Sequence, residues 1–467
     1  MTEGAAHPYI PNSAPETRRE MMRAIGIDDI EELFEAIPQR LRLDRRLLLP
    51  EPLASEQLLR RHLVELLERD RPAAEGRSFL GGGCWQHHVP AVVDEVVGRA
   101  EFLTAYSGSS YPDLGKYQAR FEYQSQMAEL VGMEVVSDPT YDWANAAALS
   151  LRMAARITGR SRVLVPRTVG PDRRSVIENV CGMPHLHGAV EVGWLSYDAS
   201  SGTIDMPDLR RQLDDGIAAV YIENPNYLGT LEPQAASIAD LVHGVDALLI
   251  VGVDPLTLGL LEAPARYGAD IVCGELQPLG THMSGGGGSS GFMAFPDEER
   301  FVSQCPLILF GVAETQLPGE LGFGEVMFER TSYALRDQAR DWVGTSTGLM
   351  GIAAAVYLAL MGPTGMRELG ETIVQRSHYA ADRLAAIPDV TVRFGPHFFK
   401  EFVVELDGTG KSVGDINRSL LRDGIVGGLD LGRHFEELDG CALFCVTELH
   451  TGDDIDALAA ALEEAIA

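Results

Sequence analysis

The sequence predicts an α/β protein whose larger part is a mainly parallel sheet covered by helices. Four short apolar runs carry this prediction, and each ends in polar or helix-breaking residues: RVLVP (162–166), AAVYIENP (218–225), ALLIVGVDP (247–255) and ADIVCGE (269–275). Continuous apolarity indicates strands buried on both faces, as in a parallel sheet. Helical sequences such as WANAAALSLRMAARITG (143–159) and PQAASIADLVHG (233–244) alternate with them, which is typical of a doubly wound layer.

The N-terminal region, residues 1–75, predicts a helical arm. DDIEELFEAI and SEQLLRRHLVELLERD place apolar residues at three- and four-residue spacing, the pattern of amphipathic helices. Asp28 and Ser55 are the predicted N-caps, since their oxygens can accept from a first-turn N–H. The arm has too little hydrophobic surface for a core of its own, so we expect it to wrap over a neighbour.

Two further domains are predicted, at 76–330 and 331–467. The first holds the four apolar strands, and its ligand-binding loops should follow the strand ends at 223–230, 254–259 and 275–290. The second begins with a long helical stretch and continues with FFKEFVVEL (398–406), CALFCVTEL (441–449) and the closing helix IDALAAALEEAI (455–466). This order predicts a smaller α+β domain.

Composition excludes several classes of function. The chain has 467 residues, 45% of them hydrophobic, and a formal net charge of −30, which disfavours nucleic acids and anionic membrane surfaces as partners. No secretory signal pattern is visible, and the longest apolar run, Gly351–Gly362, is too short to span a bilayer and predicts a buried helix. Six scattered cysteines lead us to expect free thiols in the cytoplasm.

The histidine pairs do not predict a metal site. His87–His88 and the His185/His187 pair lack thiolate or carboxylate partners at metal-ligand spacing. The four glycines at 285–288 lie between a buried strand and the apolar GFMAF. Glycine there permits a positive φ and a close approach of the backbone, so we expect a loop close to a ligand or to another backbone.

Several long motifs, in order, cover nearly the whole chain: YIPNSAPETRREMMRAIGIDDIEELF (9–34), SFLGGGCWQHHVPAVVDEVVGRAEFLTAYS (78–107), FEYQSQMAELVGMEV (121–135), ENPNYLG (223–229), GADIVCGELQPLG (268–280), AAAVYLALMGPTGMREL (353–369), KEFVVEL (400–406) and GIVGGLDLGRHFEEL (424–438). With them the chain resembles the glycine dehydrogenase (decarboxylating) P-protein family, in particular subunit 1 of its split form, the half without pyridoxal phosphate. The resemblance implies the fold type I, aspartate-aminotransferase-like architecture of pyridoxal phosphate enzymes.

The same resemblance implies that this chain does not hold the cofactor. Asp254 stands where the family's aspartate pairs with the pyridinium nitrogen, but Pro278 occupies the position of the Schiff-base lysine. Proline has no amine and cannot form an imine. Only three lysines exist: Lys400 and Lys411 are assigned to the small domain, away from the site, and Lys116 to an N-terminal loop. Trp143 replaces a family glycine in the phosphate-cradling segment YDWANAAA (141–148).

As the resemblance implies, a homologous subunit carries pyridoxal phosphate, the two form an α2β2 assembly, and the active site lies near their interface. The implied reaction decarboxylates glycine and passes the aminomethyl group to a lipoyl carrier, the H-protein. Candidate residues facing the shared site are His87, His88, Tyr106 and Glu122, with Gln124 beside them. Asp254, Asn224, Asn226 and Gln277 are candidates for a vestigial or partner-facing cofactor site.

Three segments depart from the family pattern: SGSSYPDLGKYQ (107–118), SQCPLILFGVAETQLPG (303–319) and RDQARDWVGTS (336–346). They leave open a paralogue with a changed substrate, carrier or partner, although drift in loops also explains them. Two other classes remain open: a stand-alone enzyme that uses pyridoxal phosphate without a lysine at this position, or through Lys116, and a non-catalytic scaffold.

Overall fold

The structure is a computed structural model that describes residues 7, 9–45, 47–70, 72, 77–103, 114–182, 188–283, 290–339, 341–344 and 346–467. The chain divides into two compact units, Met1–Asp70 and Arg71–Ala467. Tyr106, the His185/His187 pair and the four glycines at 285–288 lie outside the described residues.

The first unit contains helices α1 (Pro15–Ile25) and α2 (Glu56–Leu67). The predicted cap Ser55 is confirmed, since its Oγ accepts from the backbone N–H of Leu58 at 3.5 Å. The helix predicted over DDIEELFEAI is reduced to a 3₁₀ turn, Ile30–Phe34, and its cap is Asp29, not Asp28. Asp29 and Glu32 form a reciprocal capping box, which fixes the start one residue later. No described residue of this unit is buried.

The second unit is built around a seven-stranded sheet with the order β2-β8-β7-β6-β5-β3-β4. β4, β3, β5, β6 and β7 run parallel, and β8 and β2 close one edge antiparallel to their neighbours. The four apolar runs form β3, β5, β6 and β7, so the predicted buried strands are confirmed. The strands are β2 (Val135–Val136), β3 (Arg162–Pro166), β4 (Glu191–Leu195), β5 (Ile217–Asn224), β6 (Leu248–Val253), β7 (Ile271–Glu275) and β8 (Gly291–Phe295).

Helices pack on both faces of this sheet. Ala219 and Tyr221 of β5 face the helices at 143–158 and 171–181, whereas Val220 and Ile222 face the core shared with the helices at 114–131, 235–243 and 348–385. The alternation follows from the two-residue period of a strand. The helices of this region are α3 (Ala91–Val97), α4 (Ala100–Leu103), α5 (Leu114–Val131), α6 (Trp143–Thr158), α7 (Pro171–Cys181), α8 (Met206–Gln212), α9 (Ala235–His243) and α10 (Glu299–Val302).

A hairpin and a long helix connect the large sheet to a smaller one. The departing segment 303–319 contributes to the hairpin β9 (Phe310–Glu314) and β10 (Leu321–Glu325). Helix α11 (Gly348–Ala385) is long and apolar enough to cross a membrane by length and composition, but its φ and ψ are non-helical at Gly362, before Pro363. The predicted helix Gly351–Gly362 is its first part, and Ala353, Ala354 and Tyr357 are buried in the core.

The smaller sheet is antiparallel with the order β11-β12-β15-β14. Helices α12 and α13 and the end of α11 supply the core beside it. Near the start of the second unit, β1 pairs in parallel with β13 in a separate two-stranded sheet. The elements are β1 (Arg77–Ser78), β11 (Thr391–Val392), β12 (Glu401–Glu405), α12 (Val413–Arg422), β13 (Ile425–Val426), β14 (Leu429–Asp430), β15 (Cys441–Cys445) and α13 (Gly452–Ile466).

Candidate functional site

Neighbouring parallel strands bring polar side chains to one edge of the large sheet. β5 ends at Asn224, β6 is followed directly by Asp254, and β7 ends at Glu275. The carboxyl ends of parallel strands are where ligands bind in such folds. Asp254 is 1% exposed and Glu275 is 3% exposed. We call the surroundings of these two carboxyl groups the strand-end site.

The carboxylate of Asp254 is paired inside the chain. Its Oδ2 lies 2.7 Å from Nζ of Lys400, and both side chains are almost fully buried. Lys400 immediately precedes β12 of the smaller sheet, but its side chain reaches the large sheet. The expectation that no lysine lies near the site is therefore wrong. A buried lysine requires a partner for its charge, and Asp254 supplies it.

The ammonium group of Lys400 also contacts His87. Nζ lies 3.0 Å from Nε2 of His87, and Nδ1 of that ring lies 2.8 Å from Oε2 of Glu448. Burial and the charge of Lys400 lower the pKa of His87. The neutral ring accepts at Nε2 and donates from Nδ1. Burial opposes ionisation of Glu448, but His87 and the backbone N–H of His88 outweigh it and bring its pKa to about 2.

An aromatic ring covers the same ammonium group. Nζ of Lys400 lies 3.5 Å from the centroid of the Trp85 ring, a cation–π contact. Gln277 holds the Trp85 backbone, because its Nε2 donates to the carbonyl at 3.1 Å and its Oε1 accepts from the N–H at 3.4 Å. The second donor bond of Gln277 goes to the carbonyl of Thr281 at 2.9 Å. Gln277 thus connects the backbone at Trp85 to the backbone at Thr281.

The N-terminus of α6 faces the chain's own carboxyl groups. Asp142 caps the helix by accepting from the N–H of Asn145 at 2.7 Å. Glu275 accepts from the N–H of Trp143 at 3.3 Å and from those of Gln277 and Ser290 at 3.1 and 3.3 Å. A helix N-terminus is a ready site for an anionic group. Burial raises the pKa of Glu275 to about 8 although these N–H groups oppose the shift.

The side chain of Trp143 belongs to a buried hydrogen-bonded network. Its Nε1 donates to the hydroxyl of Tyr221 at 3.0 Å, and that hydroxyl donates to Glu223 at 2.9 Å. Arg173 pairs with both oxygens of Glu223, at 2.6 and 3.2 Å, while its guanidinium lies 4.2 Å from the Trp143 ring centroid. In the segment 141–148, which would cradle a phosphate in the family, the Trp143 side chain is therefore engaged with other side chains of this chain.

The two asparagines predicted at the site stabilise turns. Oδ1 of Asn226 accepts from the N–H groups of Leu228 and Thr230 at 3.0 and 3.2 Å. Oδ1 of Asn224 accepts from the N–H of Glu232 at 3.1 Å. Both amides thus organise the loop that follows β5.

The remaining candidates are spread over the fold. Glu122 is exposed on α5 and accepts from Gln118 at 2.9 Å, so it is not brought to the strand-end site. Oε1 of Gln124 accepts from the N–H of Phe310 at 3.1 Å. Lys116 lies on α5 and is 5% exposed; the predicted loop is wrong, because the helix begins before it. His88 is exposed.

A cavity of about 730 Å³ adjoins the strand-end site. Its lining includes Gly81, Cys84, His87, His88, Gln277 and His282. Within the described ranges, no three His, Cys, Asp or Glu side chains are grouped so as to hold a metal ion.

Comparisons with known proteins agree on one family. Residues 7–462 match the family model of the glycine cleavage system P-protein. A probable glycine dehydrogenase (decarboxylating) subunit 1 of Staphylothermus marinus is 38% identical over 470 residues, covering 99% of this chain and 98% of the relative. The protein of that name from Thermococcus onnurineus is 36% identical over 458 residues, 98% and 99% of the two chains.

The chain belongs to the glycine cleavage system P-protein family.

Solved structures support this assignment. An inhibitor-bound glycine decarboxylase (P-protein) of the glycine cleavage system matches with a TM-score of 0.85 at 35% identity, over 99% of this chain and 100% of the other. A sphingosine-1-phosphate lyase from Burkholderia pseudomallei matches with a TM-score of 0.63 at 17% identity, over 91% and 92%, which is a likeness of fold. The P-protein chain therefore has the fold type I architecture of pyridoxal phosphate enzymes, as predicted.

The strand-end site of this P-protein chain does not fit pyridoxal phosphate. Asp254 is already neutralised by Lys400, so a pyridinium would have to displace a buried ion pair. Pro278 offers no amine. At the α6 N-terminus, which would receive a phosphate, the N–H of Trp143 already donates to the buried Glu275 carboxyl.

Several residues of the site are absent from the sequence-based candidates: Lys400, Trp85, Glu275, Arg173, Glu223 and Tyr221. One local signal was available for Lys400, because it lies in the largely apolar run FFKEFVV (398–404), and a buried lysine requires a partner. Glu275 likewise ends a continuous apolar run. The Arg173–Glu223 pair joins residues from separate elements, and nothing local indicates it.

Proposed function

We propose that this chain is the cofactor-free subunit of a heteromeric glycine decarboxylase, and that a homologous subunit 2 binds pyridoxal phosphate. The observation that carries the proposal is the Lys400–Asp254 ion pair, formed where a cofactor nitrogen would pair. Pro278 at the lysine position supports the same conclusion. On this proposal the chain is inactive without its partner.

The proposed reaction is decarboxylation of glycine, followed by transfer of the aminomethyl group to a lipoyl carrier. Pyridoxal phosphate on the partner supplies the electron sink for the decarboxylation. This chain contributes a preformed wall to the shared site in an α2β2 assembly. His88 is the proposed contact residue, because it is exposed and lines the 730 Å³ cavity. His87 is engaged at both ring nitrogens and acts within the chain.

The N-terminal unit supplies a surface for the partner subunit. None of its described residues is buried, and Leu48, Leu49 and Leu67 are among its exposed side chains. Several large apolar side chains exposed on one unit are typical of an interaction site. We propose that residues 1–70 pack against subunit 2.

The proposal is tested by purifying this chain alone and together with the homologous lysine-bearing subunit. The absorbance is recorded between about 320 and 430 nm, where pyridoxal imines absorb, and the mass of each complex is determined. We expect a colourless single chain and a coloured heteromer that exchanges bicarbonate into glycine with the carrier present. A coloured single chain, or an active partner that never binds this chain, would overturn the proposal.

The role of His88 is tested in the reconstituted complex. His88→Ala should lower glycine exchange. The control is His243→Ala, which should not lower it; His243 is an exposed residue at the end of α9 and pairs with Asp270. Equal exchange in both variants would favour a scaffold without contact residues in the shared site.

A second candidate function is a paralogue that acts on another amino acid. The observation that favours it is the β9–β10 hairpin, formed in part from a segment that departs from the family pattern and carrying the exposed side chains of Leu317 and Leu321. Assembly with a coloured partner, but exchange with another amino acid and none with glycine, would support this candidate.

A further inference from the structure

Three groups of the strand-end site converge on one ammonium ion. Asp254 provides a carboxylate oxygen at 2.7 Å, His87 a neutral ring nitrogen at 3.0 Å, and Trp85 an aromatic face at 3.5 Å from Nζ of Lys400. An anion, a hydrogen-bond acceptor and a π face are the groups that recognise an alkylammonium cation.

Each of these groups is held by contacts of its own. Oδ1 of Asp254 accepts from the N–H of Leu256 at 3.1 Å, which orients the carboxylate. Glu448 fixes the His87 ring through Nδ1 at 2.8 Å. Gln277 holds the Trp85 backbone by two hydrogen bonds. Because these contacts do not depend on Lys400, the recognition groups form a built site.

We infer that the strand-end site is an alkylammonium-binding site whose ligand is Lys400 of the same chain. The ligand comes from the start of β12, and the carboxylate and the aromatic face come from the large domain and the segment before α3. Occupation of the site therefore ties the smaller sheet to the carboxyl edge of the large sheet. This inference does not depend on the proposed function, because it concerns only contacts within the chain.

The 730 Å³ cavity offers a route for an external ligand, because His87 lines it. Lys400→Ala removes Cγ, Cδ, Cε and Nζ, and n-propylammonium consists of the same atoms. The cation stays protonated at neutral pH, as a lysine amine does. A four-atom ligand of this kind should bind with half-saturation on the order of 1 mM.

The experiment measures the apparent Tm of the purified full chain. Lys400→Ala should lower Tm by several degrees, and n-propylammonium chloride should restore most of this loss in a saturable manner. Neutral n-propanol and an equal concentration of sodium chloride should not. Wild type should be insensitive to the amine, and Lys400→Met, which leaves too little space for n-propylammonium, should be destabilised without rescue.

The anion requirement is tested by a second variant. Lys400→Ala combined with Asp254→Asn should lose the response to n-propylammonium, because the carboxylate that selects a cation is gone. If Lys400→Ala does not fold when expressed, the same additives are compared by refolding yield. An unchanged Tm in Lys400→Ala, rescue by propanol as strong as by the amine, or undiminished amine rescue in the double variant would each overturn the inference.

Discussion

The buried Glu275 carboxyl predicts an unusual dependence of stability on pH. Its pKa is raised from 4.5 to about 8 in the folded chain, mainly by burial. In the unfolded chain the carboxyl loses its proton near its ordinary pKa, whereas the folded chain retains it up to about pH 8. The unfolded state thus binds fewer protons in between, so this group makes stability fall as pH rises.

The slope follows from the linkage between protons and folding. One ionisable group contributes at most about 1.4 kcal/mol per pH unit. Over the interval from about 4.5 to about 8, the loss attributable to Glu275 accumulates to about 4–5 kcal/mol. Stability from this group is fully present below pH 4.5 and is lost as pH rises through the folded pKa.

Glu275→Gln isolates this contribution because it keeps the shape and removes the titration. Stability is measured by urea unfolding, followed by tryptophan fluorescence, between about pH 5 and 8.5. The free energy of unfolding of the variant should increase relative to that of wild type by about 1 kcal/mol per pH unit. The constant cost of the altered hydrogen bond to Trp143 cancels in this slope. The control is Glu464→Gln, at an exposed position of α13. Its free energy of unfolding should change with pH in parallel with that of wild type. If the Glu275→Gln stability also runs parallel to wild type across this pH range, Glu275 does not titrate with a raised pKa in the folded chain.

Three further substitutions test the packing around the site by urea unfolding. Trp143→Ala should cost about 3–5 kcal/mol, because it removes a buried ring; a loss below 1 kcal/mol would contradict the packing. Arg173→Met should cost about 3–5 kcal/mol by leaving Glu223 unpaired, and adding Glu223→Gln should recover much of it; purely additive losses would count against the pair. Gly229→Ala should cost more than about 2 kcal/mol, since φ is +85° and a Cβ would lie 2.0 Å from the carbonyl oxygen of Glu401; an unchanged midpoint would contradict this geometry.

The sheet could be predicted because its signals are local. Continuous apolar runs such as RVLVP and ADIVCGE become β3 and β7 with ends close to those expected, since burial on both faces permits no polar positions. The N-terminal arm was predicted less well. DDIEELFEAI has the helical spacing but forms only the 3₁₀ turn Ile30–Phe34, and none of its side chains is buried. Helices in proteins gain most of their stability from packing an apolar face.

The site could be predicted only where one residue carries the information. Asp254 at a strand end is visible in the sequence, and the family resemblance implies that Pro278 stands at the lysine position. Lys400 reaches Asp254 only because the smaller sheet folds back onto the large one, and the Arg173–Glu223 pair likewise joins α7 to β5. Contacts between elements that are distant in the chain produce no periodic pattern in the local sequence. The requirement that a buried charge be paired is the constraint that sequence reasoning could have applied.

We propose that Lys400 and Glu275 of this chain occupy the places where pyridoxal phosphate would be held. The most direct test incubates the isolated chain with pyridoxal phosphate, reduces any imine with borohydride, and measures retained absorbance, intact mass and the modified lysine. We expect no stoichiometric cofactor after desalting and no adduct on Lys400 or Lys116. One equivalent of cofactor retained per chain, with an adduct on either of these lysines, would contradict it.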